Sequence, residues 1–169
     1  LHTGPDDGVT GNPALEFESL TRDPFLFAAP PDTHLSALAK QKEGAPYPEL
    51  DPALLGDEPF LMVSPGQRIR QITDRVLAEA GVKPNIVLTS RNYELLRRLT
   101  GEGMGCMLLP SRYIGLLGGE NYRPAYYMIP PKYRAWWALS VVRLREAYLS
   151  RAAQAFLGSF KAHLAEDSP

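Results

Sequence analysis

The fold is decided by residues 59–110, PFLMVSPGQRIRQITDRVLAEAGVKPNIVLTSRNYELLRRLTGEGMGCMLLP. Three apolar runs of strand length, residues 59–63, 85–89 and 105–109, alternate there with two amphipathic stretches of helical length. Parallel strands are joined by crossovers of about a dozen residues, usually helices, and the spacing of these runs fits such crossovers. The sequence therefore predicts three parallel strands and an α/β fold.

The first amphipathic stretch, residues 67–80, is predicted to be a helix with one buried face. Its apolar side chains recur every three or four positions, at Ile69, Ile72, Val76, Leu77 and Ala80. This spacing is typical of a surface helix that packs on a core. Gly81 is expected to end the helix, because glycine readily adopts the left-handed conformation found after helix C-termini.

The second amphipathic stretch is predicted to be a helix that starts after Ser90. The Ser90 hydroxyl is expected to cap this helix by accepting a hydrogen bond from a free backbone N–H two or three residues on. Leu95, Leu96 and Leu99 are expected to face the core. Gly101 and Gly103 are expected to terminate the helix, because glycine lowers helix stability.

The flanking regions carry weaker patterns. Glycines and prolines interrupt residues 1–21, which are predicted to form a loop, and residues 24–29 form a short apolar strand that ends at Pro30 and Pro31. Ser150 is expected to cap a C-terminal amphipathic helix. The later predicted elements are strands at residues 125–129 and 135–143 and a helix at residues 150–165.

The composition limits the classes of function. The chain has 169 residues, of which 44% are hydrophobic, and 18 Lys and Arg against 19 Asp and Glu give a net charge of −1. This balance excludes the binding of nucleic acid by bulk charge, which needs a basic excess. No apolar run approaches the roughly 18 residues that span a bilayer. We therefore expect no membrane partner.

The cysteine and histidine content points away from disulfides and metals. Cys106 is the single cysteine, so no intrachain disulfide can form, and a reducing cytoplasm is the expected compartment. His2, His34 and His163 lie far apart and lack the spacing of metal ligands. The sequence also shows no phosphate-cradling glycine loop, nucleophile elbow or Rossmann fingerprint. We expect neither a metal nor a cofactor.

A set of short motifs occurs in a distinctive order. The motifs are Asp57-Glu-Pro-Phe60, Ala80-Gly81, Thr89-Ser90, Glu94-Leu95-Leu96 and Gly101-Glu-Gly-Met-Gly-Cys-Met-Leu-Leu-Pro110. This order resembles that of the effector-binding domain of LysR-type transcriptional regulators, in which a helix leads to a Gly-x-Gly turn, a strand and a proline. Phe25-Leu-Phe-Ala-Ala-Pro30 and Leu139-Ser-Val-Val-Arg143 are similar to the crossover and return strands of that family. The resemblance covers nearly the whole chain.

The resemblance implies a type II periplasmic-binding-protein-like fold, with two α/β lobes joined by crossover strands around a small-molecule cleft. Residues 30–134 would form the second lobe, and residues 1–29 with residues 135–169 part of the first. The family's helix-turn-helix and the opening strands of the first lobe would lie upstream of Leu1, which makes this chain a fragment. Exposed sheet edges in such a lobe favour pairing with another chain, so we expect a homodimer or higher oligomer.

Two loops are the candidate effector site. In open parallel sheets, ligands bind beyond the carboxyl ends of the strands, where helix N-termini favour negative charge. Residues 64–68 and 89–92 follow two of the predicted strands, and the resemblance makes them cleft loops of the second lobe. The expected effector-binding residues are Thr3, Ser64, Pro65, Gly66, Gln67, Arg68, Thr89 and Ser90. Ser64, Gln67, Thr89 and Ser90 would form hydrogen bonds, Arg68 would pair with an anionic effector, and Thr3 would face them from the first lobe.

Each of these residues also has a purely structural interpretation. Ser90 can be a helix cap and nothing more, Gly66 can serve only a tight turn, and Arg68 and Arg70 can be solvated surface groups. Cys106 lies in an apolar strand, where a thiol is usually an inert packing group rather than a nucleophile.

Three functions remain open from the sequence. The first is an effector-sensing domain of a cytoplasmic, bacterial-type transcription regulator. It would not be an enzyme and would contact DNA only through the missing N-terminal part. An effector would then favour one lobe or dimer arrangement over another by its differential affinity for the two. The alternatives are a solute-binding receptor of transport, which needs an export signal, and an enzyme that uses the same cleft.

Overall fold

The computed structural model describes residues 12–116 and 123–166, which contain six strands and five helices. The elements are β1 Leu15–Ala29, α1 Leu35–Leu38, β2 Pro59–Val63, α2 Arg68–Glu79, β3 Asn85–Ser90, α3 Tyr93–Gly101, β4 Met107–Pro110, α4 Arg112–Leu116, β5 Ala125–Met128, β6 Trp136–Leu144 and α5 Arg151–Glu166, with 3₁₀ turns at Pro52–Leu54 and Pro131–Tyr133.

The chain forms two compact units. The first unit is Leu1–Asp23 with Ala138–Pro169, and the second unit is Pro24–Trp137. The assignment of residues to an incomplete first lobe and a second lobe stays a prediction.

The predicted parallel strands lie in the second unit. β2 pairs with β3 in parallel, with Met62 opposite Thr89. β4 meets the other side of β2 through a parallel bridge, in which Leu61 N–H donates to the Cys106 carbonyl at 2.8 Å and Cys106 N–H donates to the Pro59 carbonyl at 2.7 Å. The parallel arrangement of the three strands is thus confirmed.

Antiparallel pairing extends the sheet of the second unit. The C-terminal part of β1 pairs antiparallel with both β4 and β5, and Phe27 lies opposite Leu108 on one side and Tyr127 on the other. The large core side chains come mainly from β1, β2 and β4. Those that are almost completely buried include Phe25, Phe27, Phe60, Leu61, Met62, Leu108 and Leu109.

The prediction of a loop over residues 1–21 is wrong for residues 15–21, which belong to β1. β1 pairs with β6, and within the first unit Arg145 N–H donates to the Ala14 carbonyl at 2.8 Å. Arg143 forms an ion pair with Glu16 at 2.9 Å. The strand partner lies more than 110 positions away in the sequence, so no local pattern predicts this half of β1.

The helix predicted over residues 67–80 is confirmed as α2. Its buried side chains are Ile69, Ile72, Thr73, Val76 and Leu77. Gly81 follows with a φ of 73°, as expected for a residue that ends a helix.

α3 differs from its prediction in two ways. Its N-cap is Asn92, whose side-chain oxygen accepts from Leu95 N–H at 3.0 Å, so the prediction that Ser90 is the helix cap is wrong. The predicted hydrogen bond to the Ser90 hydroxyl from a backbone N–H two residues on, that of Asn92, is nevertheless present. Leu96 is fully buried as expected, but Leu95 is 43% exposed. The buried face is instead completed by Arg97 and Thr100, because Glu94 neutralises Arg97 one turn earlier on the same helix.

The C-terminal helix of the first unit is α5. The Ser150 hydroxyl accepts from Ala153 N–H at 3.2 Å, which confirms the predicted cap. Leu164 is buried, whereas Phe156 is 67% exposed and stacks on Phe160. The sequence predicts an apolar face of Ala153, Phe156, Leu157, Phe160 and Leu164 for this helix, and only part of that face is buried in this chain.

Candidate functional site

The two predicted loops start side by side at the carboxyl ends of β2 and β3. Val63, the last residue of β2, lies opposite Ser90, the last residue of β3. Immediately beyond, Ser64 N–H donates to the Ser90 carbonyl at 3.0 Å. Ser64 and Ser90 are half-buried, while Thr89 is exposed. Of the predicted site residues, the structure thus brings Ser64 and Ser90 together.

The loop after β2 is exposed and provides no side-chain cap for the N-terminus of α2. Pro65 and Gly66 are exposed, and Gly66 has a φ of 86°, which favours glycine. Gln67 is the N-cap, but its side chain makes no capping hydrogen bond. The first N–H groups of a helix have no intrahelical acceptor, so the first turn of α2 presents donors without a side-chain cap.

The first turn of α2 is basic, which is unfavourable for an isolated helix. It holds no acidic residue, and it starts with Arg68 and contains Arg70. The positive end of the helix dipole disfavours cations at this position and favours an anion. Arg70 is not a solvated group: it donates to the Val63 carbonyl at 3.1 Å and to Asp74 at 2.8 Å. Arg70 therefore ties α2 to the end of β2.

The N-terminus of α3 is occupied by protein groups. The Ser90 hydroxyl oxygen accepts from Asn92 N–H at 3.0 Å, and Asn92 in turn caps the helix. Ser90 therefore stabilises the turn before α3 rather than α3 itself. The hydroxyl proton of Ser90 has no acceptor among the residues that the structure describes, so it can serve a ligand.

Glu94 neutralises the first turn of α3. It accepts from Arg97 at 2.9 and 3.0 Å and from Arg98 at 2.7 Å. Arg97, then Arg98, hold the pKa of Glu94 below its ordinary value, although partial burial opposes this shift. In the part of the chain that the structure describes, the two helix N-termini therefore differ: the first turn of α3 holds Glu94 and is capped by Asn92, whereas the first turn of α2 holds no acidic residue and Gln67 does not cap it.

Other candidate residues do not join this site. Cys106 is buried, and burial, with a smaller contribution from Glu58, raises the pKa of its thiol to about 12, so the thiol is a packing group. In residues 12–116 and 123–166, no three His, Cys, Asp or Glu side chains are placed to hold a metal ion. Thr3 lies outside the described residues.

The roles of two residues beside the site, the N-cap Asn92 and Arg70, were not predicted from the sequence. Asn92 is a favourable N-cap type that stands two residues before Glu94, and this pair was a signal for the helix start. For Arg70 no sequence signal exists, since its contact with Val63 depends on the side-chain conformation.

The profile of the family described as the LysR substrate binding domain matches residues 3–165 of this sequence. The chain belongs to this family. The LysR substrate-binding domain has the type II periplasmic-binding-protein-like fold, so the predicted fold class is confirmed. No sequence among the curated proteins matches the chain.

Solved LysR-type structures share this fold. The regulatory domain of CcmR from Synechocystis PCC6803, in complex with 2-PG, is 20% identical with a TM-score of 0.71, over 92% of this chain and 71% of that one. The effector-binding domain of QuiR in complex with shikimate is 16% identical with a TM-score of 0.64, over 95% and 70%. HinK, a LysR family regulator from Pseudomonas aeruginosa, is 19% identical with a TM-score of 0.64, over 92% of this chain and 50% of HinK. The chain thus spans about half the length of HinK.

Within its described part, the LysR domain has no helix that combines the length and the apolar character needed to cross a bilayer.

Proposed function

We propose that this chain is the effector-sensing domain of a bacterial LysR-type transcriptional regulator, and that residues 64–68 and 89–90 bind a small-molecule effector. The observation that carries the proposal is the hydrogen bond from Ser64 N–H to the Ser90 carbonyl beside the open N-terminus of α2. CcmR and QuiR, which share the fold, bind small molecules. Family membership favours this role over a solute-binding receptor of transport or an enzyme.

The chemistry of the site favours an anionic effector, with a carboxylate as the simplest case. The uncapped N–H groups of α2 and the Arg68 guanidinium supply charge-assisted hydrogen bonds to an anion. Ser64, Gln67, Thr89 and Ser90 supply neutral hydrogen bonds to further polar atoms of the ligand. Pro65 and Gly66 shape the loop, and Thr3 stays a proposed contact.

The remaining steps of the proposed mechanism involve parts of the regulator outside this chain. DNA would be contacted by a helix-turn-helix outside this chain, in the cytoplasm, and the regulator would act as a homodimer or higher oligomer without catalysing a reaction. The effector would change transcription by favouring one lobe or dimer arrangement. It can shift this equilibrium by no more than its differential affinity for the two states.

A thermal-shift titration tests the effector site. Small carboxylates, shikimate among them, are titrated against the full chain, and a compound that binds the native state raises the melting temperature with concentration. For such a compound, Ser64→Ala and Arg68→Gln are each expected to weaken binding by about ten-fold or more, because a hydrogen bond to a charged group contributes about 1.5–3 kcal/mol.

Lys83→Gln is the matched control for the change of charge. Lys83 is exposed and precedes β3, at the opposite end of that strand from Thr89 and Ser90. The affinity of this variant should equal that of the parent chain. Binding that survives both Ser64→Ala and Arg68→Gln would place the effector elsewhere.

A further inference from the structure

Arg75 of α2 forms hydrogen bonds through both terminal nitrogens of its guanidinium to a stretch of backbone that is distant in the sequence. Its Nη1 donates to the Tyr133 carbonyl at 3.2 Å, and its Nη2 donates to the Arg134 carbonyl at 2.9 Å. A guanidinium is planar and presents its donors as a rigid fork, so two bonds to consecutive carbonyls fix α2 against this turn. Arg75 also pairs with Glu79 at 3.5 Å, and both side chains of that pair are exposed.

The turn that Arg75 holds is strained. Arg134 adopts a left-handed conformation, with φ 45° and ψ 42°, which a residue with a side chain rarely adopts. Such backbone persists only where surrounding contacts hold it, and it is often found in switch regions. Lys132 and the Tyr133 hydroxyl, in the same turn, both donate to the Asp51 carboxylate, at 2.6 and 2.5 Å. The turn is therefore held by Asp51 as well as by Arg75.

β6 begins directly after this turn. The Ala135 carbonyl accepts from Phe25 N–H of β1 at 2.7 Å. The chain then passes from the second unit to the first unit after Trp137. A displacement of the turn consequently reaches the start of a strand that continues into the other unit.

The same helix carries the proposed effector site at its N-terminus. Arg68 begins α2, and Arg75 follows seven residues later, about 10 Å along the helix axis at 1.5 Å per residue. We propose that Arg75 is a positioning residue that couples effector occupancy at the N-terminus of α2 to the conformation of the turn before β6. The inference rests on the proposed function, because it takes the effector to bind at that N-terminus. Coupling of this kind is reciprocal, so the turn also influences effector affinity.

The two tryptophans of the chain, Trp136 and Trp137, follow the turn and make it observable. Inorganic phosphate and shikimate are titrated into the full chain while tryptophan emission and melting temperature are recorded. In the parent chain, a probe that raises the melting temperature is expected also to change the emission. In Arg75→Gln the probe should still raise the melting temperature, but the emission change should fall by about five-fold or more.

Glu79→Gln is the matched control, because it removes the ion pair with Arg75 and leaves the fork on Tyr133 and Arg134 in place. Its emission change should equal that of the parent. If Arg75→Gln and Glu79→Gln give the same emission change, the inference is overturned.

Failure of the proposed function has a different signature: neither probe raises the melting temperature, or the increase survives in both Ser64→Ala and Arg68→Gln. The hold of Arg75 on the turn is then measured without a ligand, through hydrogen exchange of the Trp136 amide, which donates to the Arg134 carbonyl at 2.9 Å. Arg75→Gln should speed this exchange by about ten-fold relative to Glu79→Gln. Equal exchange in the two variants would reject the role of Arg75.

Discussion

Replacing Gly105 with alanine is expected to lower the free energy of unfolding by about 3 kcal/mol, the combined effect of overpacking and backbone strain. A Cβ at this position would lie 2.6 Å from the Pro59 carbonyl oxygen and 3.0 Å from the Pro59 carbonyl carbon. Both atoms are backbone, so a side-chain movement cannot relieve the contact. The Pro59 carbonyl also accepts the 2.7 Å hydrogen bond from Cys106 that joins β4 to β2. Urea unfolding followed by circular dichroism measures the loss.

Alanine substitutions at two other glycines are controls. They distinguish the effect of the close contact at Gly105 from the effects of replacing any glycine with alanine. Gly103 has a φ of 90° but open space around its Cβ position, so Gly103→Ala should cost only the backbone strain of about 1–2 kcal/mol. Gly56 has neither a positive φ nor a neighbour within 4 Å, and Gly56→Ala should be nearly neutral. A Gly105→Ala chain as stable as Gly56→Ala would contradict the close approach of β4 to β2.

The parts of the fold that the sequence predicts are those in which local pattern and tertiary packing agree. α2 is such a case, because its helical period, its buried face and Gly81 all indicate the same boundaries. The first half of β1 is the opposite case, since its residues are stabilised as a strand by β6, a partner remote in the sequence. Arg97 shows a third limit: a charged residue is expected on the surface, and its burial becomes understandable once its ion pair with Glu94 is seen in the structure.

The sequence predicts the position of the candidate site but not the state of its two helix N-termini. The proximity of residues 64–68 and 89–90 follows from parallel pairing, because the carboxyl ends of parallel strands share one edge of the sheet. The difference between the two helix N-termini did not follow, since it depends on which polar side chain reaches a backbone N–H. Asn92 reaches one in α3, and Gln67 does not in α2.

Glu94→Gln is expected to destabilise the chain by about 3 kcal/mol, because it leaves the Arg97 guanidinium buried without its carboxylate. The Arg97 side chain is only 5% exposed, whereas that of Glu94 is 24% exposed and keeps Arg98 as a second partner. Arg97→Met should therefore cost less than Glu94→Gln, since it removes the more deeply buried charge. Thermal and urea unfolding of both variants measure this order. Glu79→Gln removes an exposed pair and should cost less than about 1 kcal/mol.

The pH dependence of unfolding provides an independent check on this buried pair. Hydrogen bonds from Arg97 and then Arg98 lower the pKa of Glu94 from its ordinary value of 4.5, against a smaller opposing effect of burial. A carboxyl whose pKa is lower in the folded chain stabilises it above the unfolded value, and this stabilisation disappears as the pH falls through the folded value. Below about pH 4.5, the loss of stability with falling pH should therefore be steeper in the parent than in Glu94→Gln. Some acid sensitivity should remain in the variant, because the pKa of Asp51 is also lowered: burial raises it, but the hydrogen bonds from Lys132, Tyr133 and the Ala53 backbone together outweigh burial. An identical slope in parent and variant would mean that the carboxylate of Glu94 is not held by Arg97 in solution.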